Sequence, residues 1–191
     1  MSEITAPRAR RRRADADRSR QAILAAAIDV LDENGEAGLE VIAAAAKVTR
    51  QTIYAHFPNR AALVDAVLAE LTAEVIASLD RLDPDLPAPD ALHAFLETGW
   101  RSFERHPLLL SPGTIGSGAE DLHAPVLDHL RGIIKRGKAD GSFPTKLATD
   151  WLLIALMALG HAAGEAVAAG AMTRKAAWAG YRSSVDRLVG I

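Results

Sequence analysis

The chain has 191 residues, 49% of them apolar and only 5% aromatic, with nine prolines and no cysteine. That length suits one large or two small domains with a real core, and an alanine-rich chain poor in aromatic and β-branched runs points to helices rather than a sheet. The missing thiols exclude disulfide frameworks and cysteine-based zinc sites, and the net charge of −2 gives no general affinity for polyanions.

The charge is unevenly spread. Residues 1–60 hold ten Lys/Arg against eight Asp/Glu, a net +2, while residues 61–191 hold twelve against sixteen, a net −4. Seven arginines fall between Arg8 and Arg20, accompanied by Asp15 and Asp17 alone. The positive field is therefore local and N-terminal, where a phosphate backbone would be met. Residues 1–17, with Pro7 and the run Arg10-Arg11-Arg12-Arg13, are expected to form a flexible basic arm, either a solubilising tail or a reach towards phosphates and an A·T-rich minor groove. No apolar stretch is expected to reach the roughly 18–20 residues of a membrane span; the longest runs from Trp151 to Gly160. The basic start leads into no apolar segment of signal-peptide type. A soluble, cytoplasmic protein is expected.

From Arg18 to Asn34, Ile23, Leu24, Ala27, Ile28 and Leu31 recur at helical spacing, with Asp17 as N-cap and Asn34-Gly35 as a left-handed stop. A second helix runs from Leu39 to Ala46, its alanines permitting close approach of another helix. Lys47-Val48-Thr49 forms a turn, and Thr49 caps a third helix that ends near His56 because Pro58 cannot continue it. Asn59 caps a fourth, Arg60 to about Leu82, with a long apolar stripe. The Pro- and Asp-rich stretch 83–89 breaks the pattern. Asp90 to Arg105 is the fifth helix, and Leu108 to Gly118 a short helix or mobile loop. Ala124 to Lys138 is helical with Pro125 in its first turn; Lys146 to Ala169 is long and almost wholly apolar; Thr173 caps the last, Arg174 to Val189. The sum is an all-α protein of about nine helices. It divides into a basic arm (1–17), a three-helix helix-turn-helix domain (18–64), and a larger helical region (65–191).

The third helix reads as the recognition helix of a helix-turn-helix, with Ile53 and Phe57 as anchors. Arg50 has the fork suited to O6 and N7 of guanine, and Gln51 can read adenine. Thr49, Thr52, Tyr54 and Arg60 are suited to phosphates, and His56 can donate to one. On this reading Arg50→Ala abolishes selective binding and Arg60→Ala weakens all sequences alike. One such helix carries too little specificity, so a pair on a partial palindrome is expected, recognition helices about one duplex turn apart.

The stretch Ile42-Ala43-x-x-Ala46-x-Val48-Thr49-x-x-Thr52-Ile53-Tyr54-x-His56-Phe57, followed by Asn59-Arg60 and Leu63, resembles the DNA-binding domain of the tetracycline-repressor (TetR/AcrR) family, over about a third of the chain. The resemblance implies phosphate- or backbone-facing roles for Tyr54 and Arg60, a packing and capping role for His56, and dimerisation through a four-helix bundle of two helices per subunit. It also implies an effector pocket bounded by the middle helices. The sequence departs from the family at Lys47, where glycine is usual, and in a shorter connection between Gly35 and Leu39, with Gly38 in place of a capping Thr. Glu40 stands where some relatives carry a base-reading Arg: it either accepts from a cytosine amino group or is a solvated residue near a helix N-terminus.

The interface candidates are Ala155, Ala158, Ala162 and Ala166, which follow three- or four-residue steps, with Trp178, Tyr181 and Val185 as larger fillers. Candidate pocket residues are Trp100, Phe103, His106, Leu109, His123, Leu127, Trp151 and Met157, an apolar and aromatic set with few polar groups. Neither a metal nor a cofactor is expected: His123 and His129 do not share a helix face. The expected function is a ligand-responsive transcriptional regulator, a repressor rather than an activator, that binds a palindromic DNA operator as a homodimer and is released by a small hydrophobic effector. The alternatives are a DNA-binding regulator controlled by a protein partner and, further off, a helical enzyme or ligand carrier. No G-x-S-x-G, H-E-x-x-H, P-loop or dinucleotide fingerprint is present.

Overall fold

The computed structural model describes residues 5–110 and 119–191, with the side chains of 5–9, 12, 13, 108, 110 and 119–123 left out of the description. Among the described residues there are eight α-helices and one 3-10 turn, without a strand. They form two compact units, 1–70 and 71–191.

In the first unit, α1 (Thr5–Glu33) begins well before Arg18, so the described part of the expected flexible arm is helical. Alanine and arginine are strong helix formers and Pro7 sits in the first turn, where it breaks no intrahelical bond; Arg18 pairs with Asp15 one turn back. Asp17 consequently lies inside the helix and caps nothing. Nor is Gly35 left-handed; the chain instead leaves α1 through Asn34, whose Oδ1 accepts from the Glu36 N–H at 3.1 Å. Helix α2 (Leu39–Ala45) follows, then α3 (Arg50–His56). Ile23, Leu24, Ala27 and Leu31 of α1 are buried with Leu39 and Ile42 of α2, Ile53 of α3, and Phe57 and Leu63 beyond it. Each helix turns one apolar stripe inward, which is why the three close around a single small core.

In the turn between α2 and α3, Lys47, standing where the family usually has glycine, takes the left-handed conformation with φ +56°. The turn closes as a Schellman motif: the Val48 N–H donates to Ala43 O at 3.0 Å and the Lys47 N–H to Ala44 O at 3.1 Å. A motif that favours glycine is thus completed here by a lysine.

Helix α4 (Arg60–Leu79) belongs to both units. Asn59 caps it, Oδ1 accepting from the Ala62 N–H at 2.9 Å. The second unit adds α5 (Ala88–Arg105), a 3-10 turn at Pro107–Leu110, α6 (Ala119–Ala139), α7 (Thr149–Ala168) and α8 (Arg174–Val189). Residues 111–118 of the expected loop lie outside the described residues. Helix α6 starts five residues earlier than its pattern suggested, which puts Pro125 inside the helix rather than in its first turn. Thr173 caps α8 by accepting from the Ala176 N–H, and Gly190 closes it at φ +87°. The core gathers Leu92, Phe95 and Leu96 of α5, Leu130 and Ile134 of α6, Leu152 and Leu156 of α7, and Tyr181, Val185 and Val189 of α8. Phe143 folds back onto α6 where Gly137 leaves room, its N–H donating to Gly137 O at 2.8 Å.

Helix α7 overturns one expectation. Over an 18-residue window its mean hydropathy is 1.6, so by length and composition it could cross a membrane, and 28% of that window is buried within the chain. Its small residues keep the run apolar past Gly160, where the sequence pattern seemed to stop.

Candidate nucleic-acid interface and effector cavity

Helix α3 is held rigidly at its start. Thr49 is the N-cap: its Oγ1 accepts from the Thr52 N–H at 3.1 Å and lies 2.8 Å from the Thr52 hydroxyl. Ile53 is completely buried and Phe57 nearly so, which fixes the rotation of the helix and turns Arg50, Gln51 and Tyr54 outward. Both candidate base readers, Arg50 and Gln51, therefore share an open face with the threonine hydroxyls beside them.

Three side chains on that face are tied together. The Tyr54 hydroxyl donates to Glu40 Oε1 at 3.1 Å, the Arg50 guanidinium lies 3.3 Å from the same oxygen, and it sits 5.4 Å over the Tyr54 ring. Hydrogen bonding, first from the Glu40 backbone at the start of α2 and then from Tyr54, holds the Glu40 carboxyl below the usual carboxylate range, and nearby Arg50 adds to this. Glu40 is neither a base reader standing alone nor an idle solvated group. Arg20, from α1, stacks 5.5 Å over the Phe57 ring. His56, in the last turn of α3, is half-buried with its ring 6.3 Å from that of Phe57, in keeping with packing at the helix end.

Arg60, expected at a phosphate, is hydrogen-bonded within its own unit. Its Nε donates to Ala37 O at 3.1 Å and its Nη2 to Gly35 O. The guanidinium thus braces the short α1–α2 connection, whose carbonyls have no helical partner of their own. The spacing that suggested a phosphate contact could not show that this tight turn brings two carbonyls within reach.

In the second unit a cavity of ≈ 80 Å³ is lined mainly by apolar and aromatic side chains. Of the candidates, Trp100, Phe103, Leu109 and Met157 line it. His106 does not; it borders a polar cleft with Arg81, Arg101 and Arg105. Leu127 packs against the core, the side chain of His123 lies outside the description, and Trp151 is 55% exposed. Trp151 fails as a wall because α7 turns it away from its own subunit. Sequence reasoning missed the other lining residues, among them Phe95, Val126, Gly160, His161 and Tyr181. Gly160 gave the available signal: it falls one turn after Met157, and the Tyr181 ring occupies the space where its side chain would lie. A second space of ≈ 160 Å³ shares Trp100 and Phe103 as walls, and the Trp100 indole N–H donates to Glu104 at 3.1 Å.

The interface candidates divide. Tyr181 and Val185 are buried in the subunit's own core and face no partner; burial drives the Tyr181 hydroxyl pKa well above its ordinary value. Trp178 is half-buried, its ring 5.6 Å from Trp100. Ala155 and Ala166 are half-buried, while Ala158 and Ala162 are exposed beside Trp151 and Ile154 on the outer face of α7. Among the described residues no group of three or more His, Asp or Glu side chains could hold a metal.

A capped, outward-facing short helix set against two others by a tight turn defines a helix-turn-helix DNA-binding protein. The sequence model of bacterial regulatory proteins of the tetR family matches residues 23–67, and the transcriptional repressor NicS of Pseudomonas putida is 30% identical over 142 residues, 67% of each chain. The chain belongs to the tetR family of transcriptional regulators, which are not enzymes. The repressor LfrR of Mycolicibacterium smegmatis is 39% identical over 75 residues, 39% of this chain and 40% of that one. The structure of LfrR from Mycobacterium smegmatis, in complex with proflavine, superposes with a TM-score of 0.68 at 26% identity, covering 88% of this chain and 94% of that one. FadR of Bacillus subtilis in complex with stearoyl-CoA shares the fold, with a TM-score of 0.69 at 18% identity over 88% and 96% of the two chains.

Proposed function

We propose that this regulator is a cytoplasmic repressor that binds a partly palindromic operator as a homodimer and leaves it when a small hydrophobic effector occupies the second unit. The observation that carries the reading is the open face of α3, where Arg50 and Gln51 stand clear of the core while Ile53 and Phe57 lock the helix beneath them. Arg50 and Gln51 read base edges; Thr49 and Thr52 position the helix on phosphates.

Pairing uses the outer face of α7. Ile154 is 62% exposed and continues Trp151, Ala158 and Ala162 along one side. An apolar stripe this open on a helix otherwise anchored in a core is the mark of a missing partner, and its alanines allow a second helix to approach closely. A membrane would leave the polar residues of the same helix, Asp150, His161 and Glu165, at a cost that a protein partner avoids.

The effector enters the aromatic cavity. A drug-sized ligand requires several hundred cubic ångströms, more than the ≈ 80 Å³ present, so its binding must move the walls. Trp100 and Phe103 separate that cavity from the second space, and their rearrangement joins the two. LfrR is in complex with proflavine, a flat aromatic cation, and FadR with stearoyl-CoA, whose acyl chain is apolar and whose coenzyme A head is charged; an aromatic or acyl group of that kind fits the lining here. Helix α4 carries the change, since one continuous helix runs from the cavity wall at Thr72 and Val75 back to Arg60. Any ligand that favours one state of this helix shifts the DNA-binding population.

Selection of genomic fragments by the purified protein, followed by gel-shift titration with wild type and Arg50→Ala, tests the reading. Enriched fragments should carry a partial palindrome and Arg50→Ala should lose discrimination against scrambled duplex; unchanged discrimination would sink it.

A further inference from the structure

Glu40 carries a negative charge on a surface that has to meet phosphates, which by itself weakens binding. Its surroundings give it work to do. The carboxylate is anchored at the start of α2 by hydrogen bonding from its own backbone, and its Oε1 reaches across to α3, taking the Tyr54 proton at 3.1 Å and facing the Arg50 guanidinium at 3.3 Å. The guanidinium is held on its other side by the Tyr54 ring.

We propose that Glu40 is a specificity-determining positioning residue, whose carboxylate clamps Arg50 against Tyr54 so that the guanidinium is presented to a base edge rather than left to pair with any phosphate. This rests on the reading of Arg50 as the base reader. An unrestrained arginine can sweep many rotamers and contact any nearby phosphate, a gain shared by every sequence. A clamped one gives up that general affinity. It retains enough of its five N–H donors for a bidentate contact with guanine, and less rotamer entropy is lost when the contact forms. The Tyr54 hydroxyl has one proton, so while it donates to Glu40 it cannot also donate to a phosphate.

The test uses the full-length protein and two probes: the duplex it enriches from a randomised library, and an unselected duplex of equal length. Glu40→Gln keeps an acceptor for Tyr54 but removes the charge facing Arg50. It is expected to bind unselected duplex more tightly and to lower the ratio of selected to unselected affinity by about tenfold, within the range one bidentate base contact supplies. Tyr54→Phe keeps the ring and removes the hydroxyl; it should lower the ratio by a smaller factor and leave unselected affinity unchanged. Library selection with Glu40→Gln should show weakened preference at the guanine position that Arg50→Ala also loses. If Arg50→Ala loses discrimination and both other variants keep it, the clamp is refuted and the reading of Arg50 stands. If Arg50→Ala keeps discrimination, that reading fails and the clamp with it. A loss of selected and unselected affinity in equal proportion in Tyr54→Phe would assign its hydroxyl to phosphate and overturn the clamp. Melting curves taken alongside separate these outcomes from unfolding, because a purely structural role moves the melting temperature and not the base preference.

Discussion

Replacing Arg60 distinguishes a brace from a phosphate contact. Its guanidinium makes two hydrogen bonds, one to Ala37 O at 3.1 Å and one to Gly35 O, both to carbonyls of the connection between α1 and α2. Hydrogen bonds from a charged donor each contribute more than neutral ones, but these are half-exposed, so roughly 1 kcal/mol apiece is the reasonable scale, about 2 kcal/mol in all. For a chain of this size that lowers the melting temperature by about 4–8 °C in Arg60→Ala. Arg60→Lys keeps the charge but loses the fork, and should fall about halfway between, since one ammonium cannot serve two carbonyls so placed. A phosphate contact predicts the opposite pattern. There, the lysine variant would behave as wild type, and the alanine variant would reduce the slope of log affinity against log salt by about 0.9 at unchanged melting temperature. Thermal melting of the three proteins, combined with duplex binding between low and moderate salt, gives both readouts. A normal melting temperature with a shallower salt slope in Arg60→Ala would refute the brace.

Lys47→Gly should raise stability by up to about 1 kcal/mol, because the left-handed φ of +56° costs a lysine what it does not cost a glycine; urea denaturation with an unchanged slope would read this. Gly137→Ala should destabilise, since its new Cβ would lie 2.2 Å from the Phe143 ring; overpacking of about 1–3 kcal/mol outweighs the helix propensity gain of about 1 kcal/mol. In a Phe143→Ala background the same substitution should turn neutral or stabilising, and a strictly additive double-mutant cycle would contradict the contact. Ile154→Glu should convert the proposed dimer to monomer in sedimentation at micromolar concentration and remove operator binding while leaving the chain folded, because the side chain is exposed in the single chain. A dimer that survives this change places the interface elsewhere.

Much of the DNA-facing unit was legible in the sequence because local rules decide it. Thr49 ahead of an apolar-anchored turn of helix, Pro58 behind it and Asn59 capping the next helix depend on neighbours three or four residues away. The extent of α1 was underestimated: arginine repeats look like a tail by charge and like a helix by propensity, and the helix prevailed. The three-sided contact among Glu40, Arg50 and Tyr54 was not legible, since it depends on the angle at which α2 and α3 meet.

The second unit separates local from tertiary information more sharply. An amphipathic helix such as α5 shows in its sequence which side is buried, and Trp100 and Phe103, chosen as aromatic residues of a middle helix, do line the cavity. Helix α7 is apolar almost all round, so its periodicity holds no record of inside and outside. Its packing against α8, α6 and α5 turned Leu152 and Leu156 inward and left Trp151 and Ile154 outward. The same packing drew Tyr181 and Val185 into the subunit's core, where a reading by size had assigned them to a partner. The sequence by itself determined the order of the helices, the caps at Thr49, Asn59 and Thr173 and the recognition face, because those follow from spacing and side-chain chemistry within a few residues. The tertiary structure alone decided which apolar surface is left open and which arginine is spent as a brace, because both depend on distances between segments that the sequence separates.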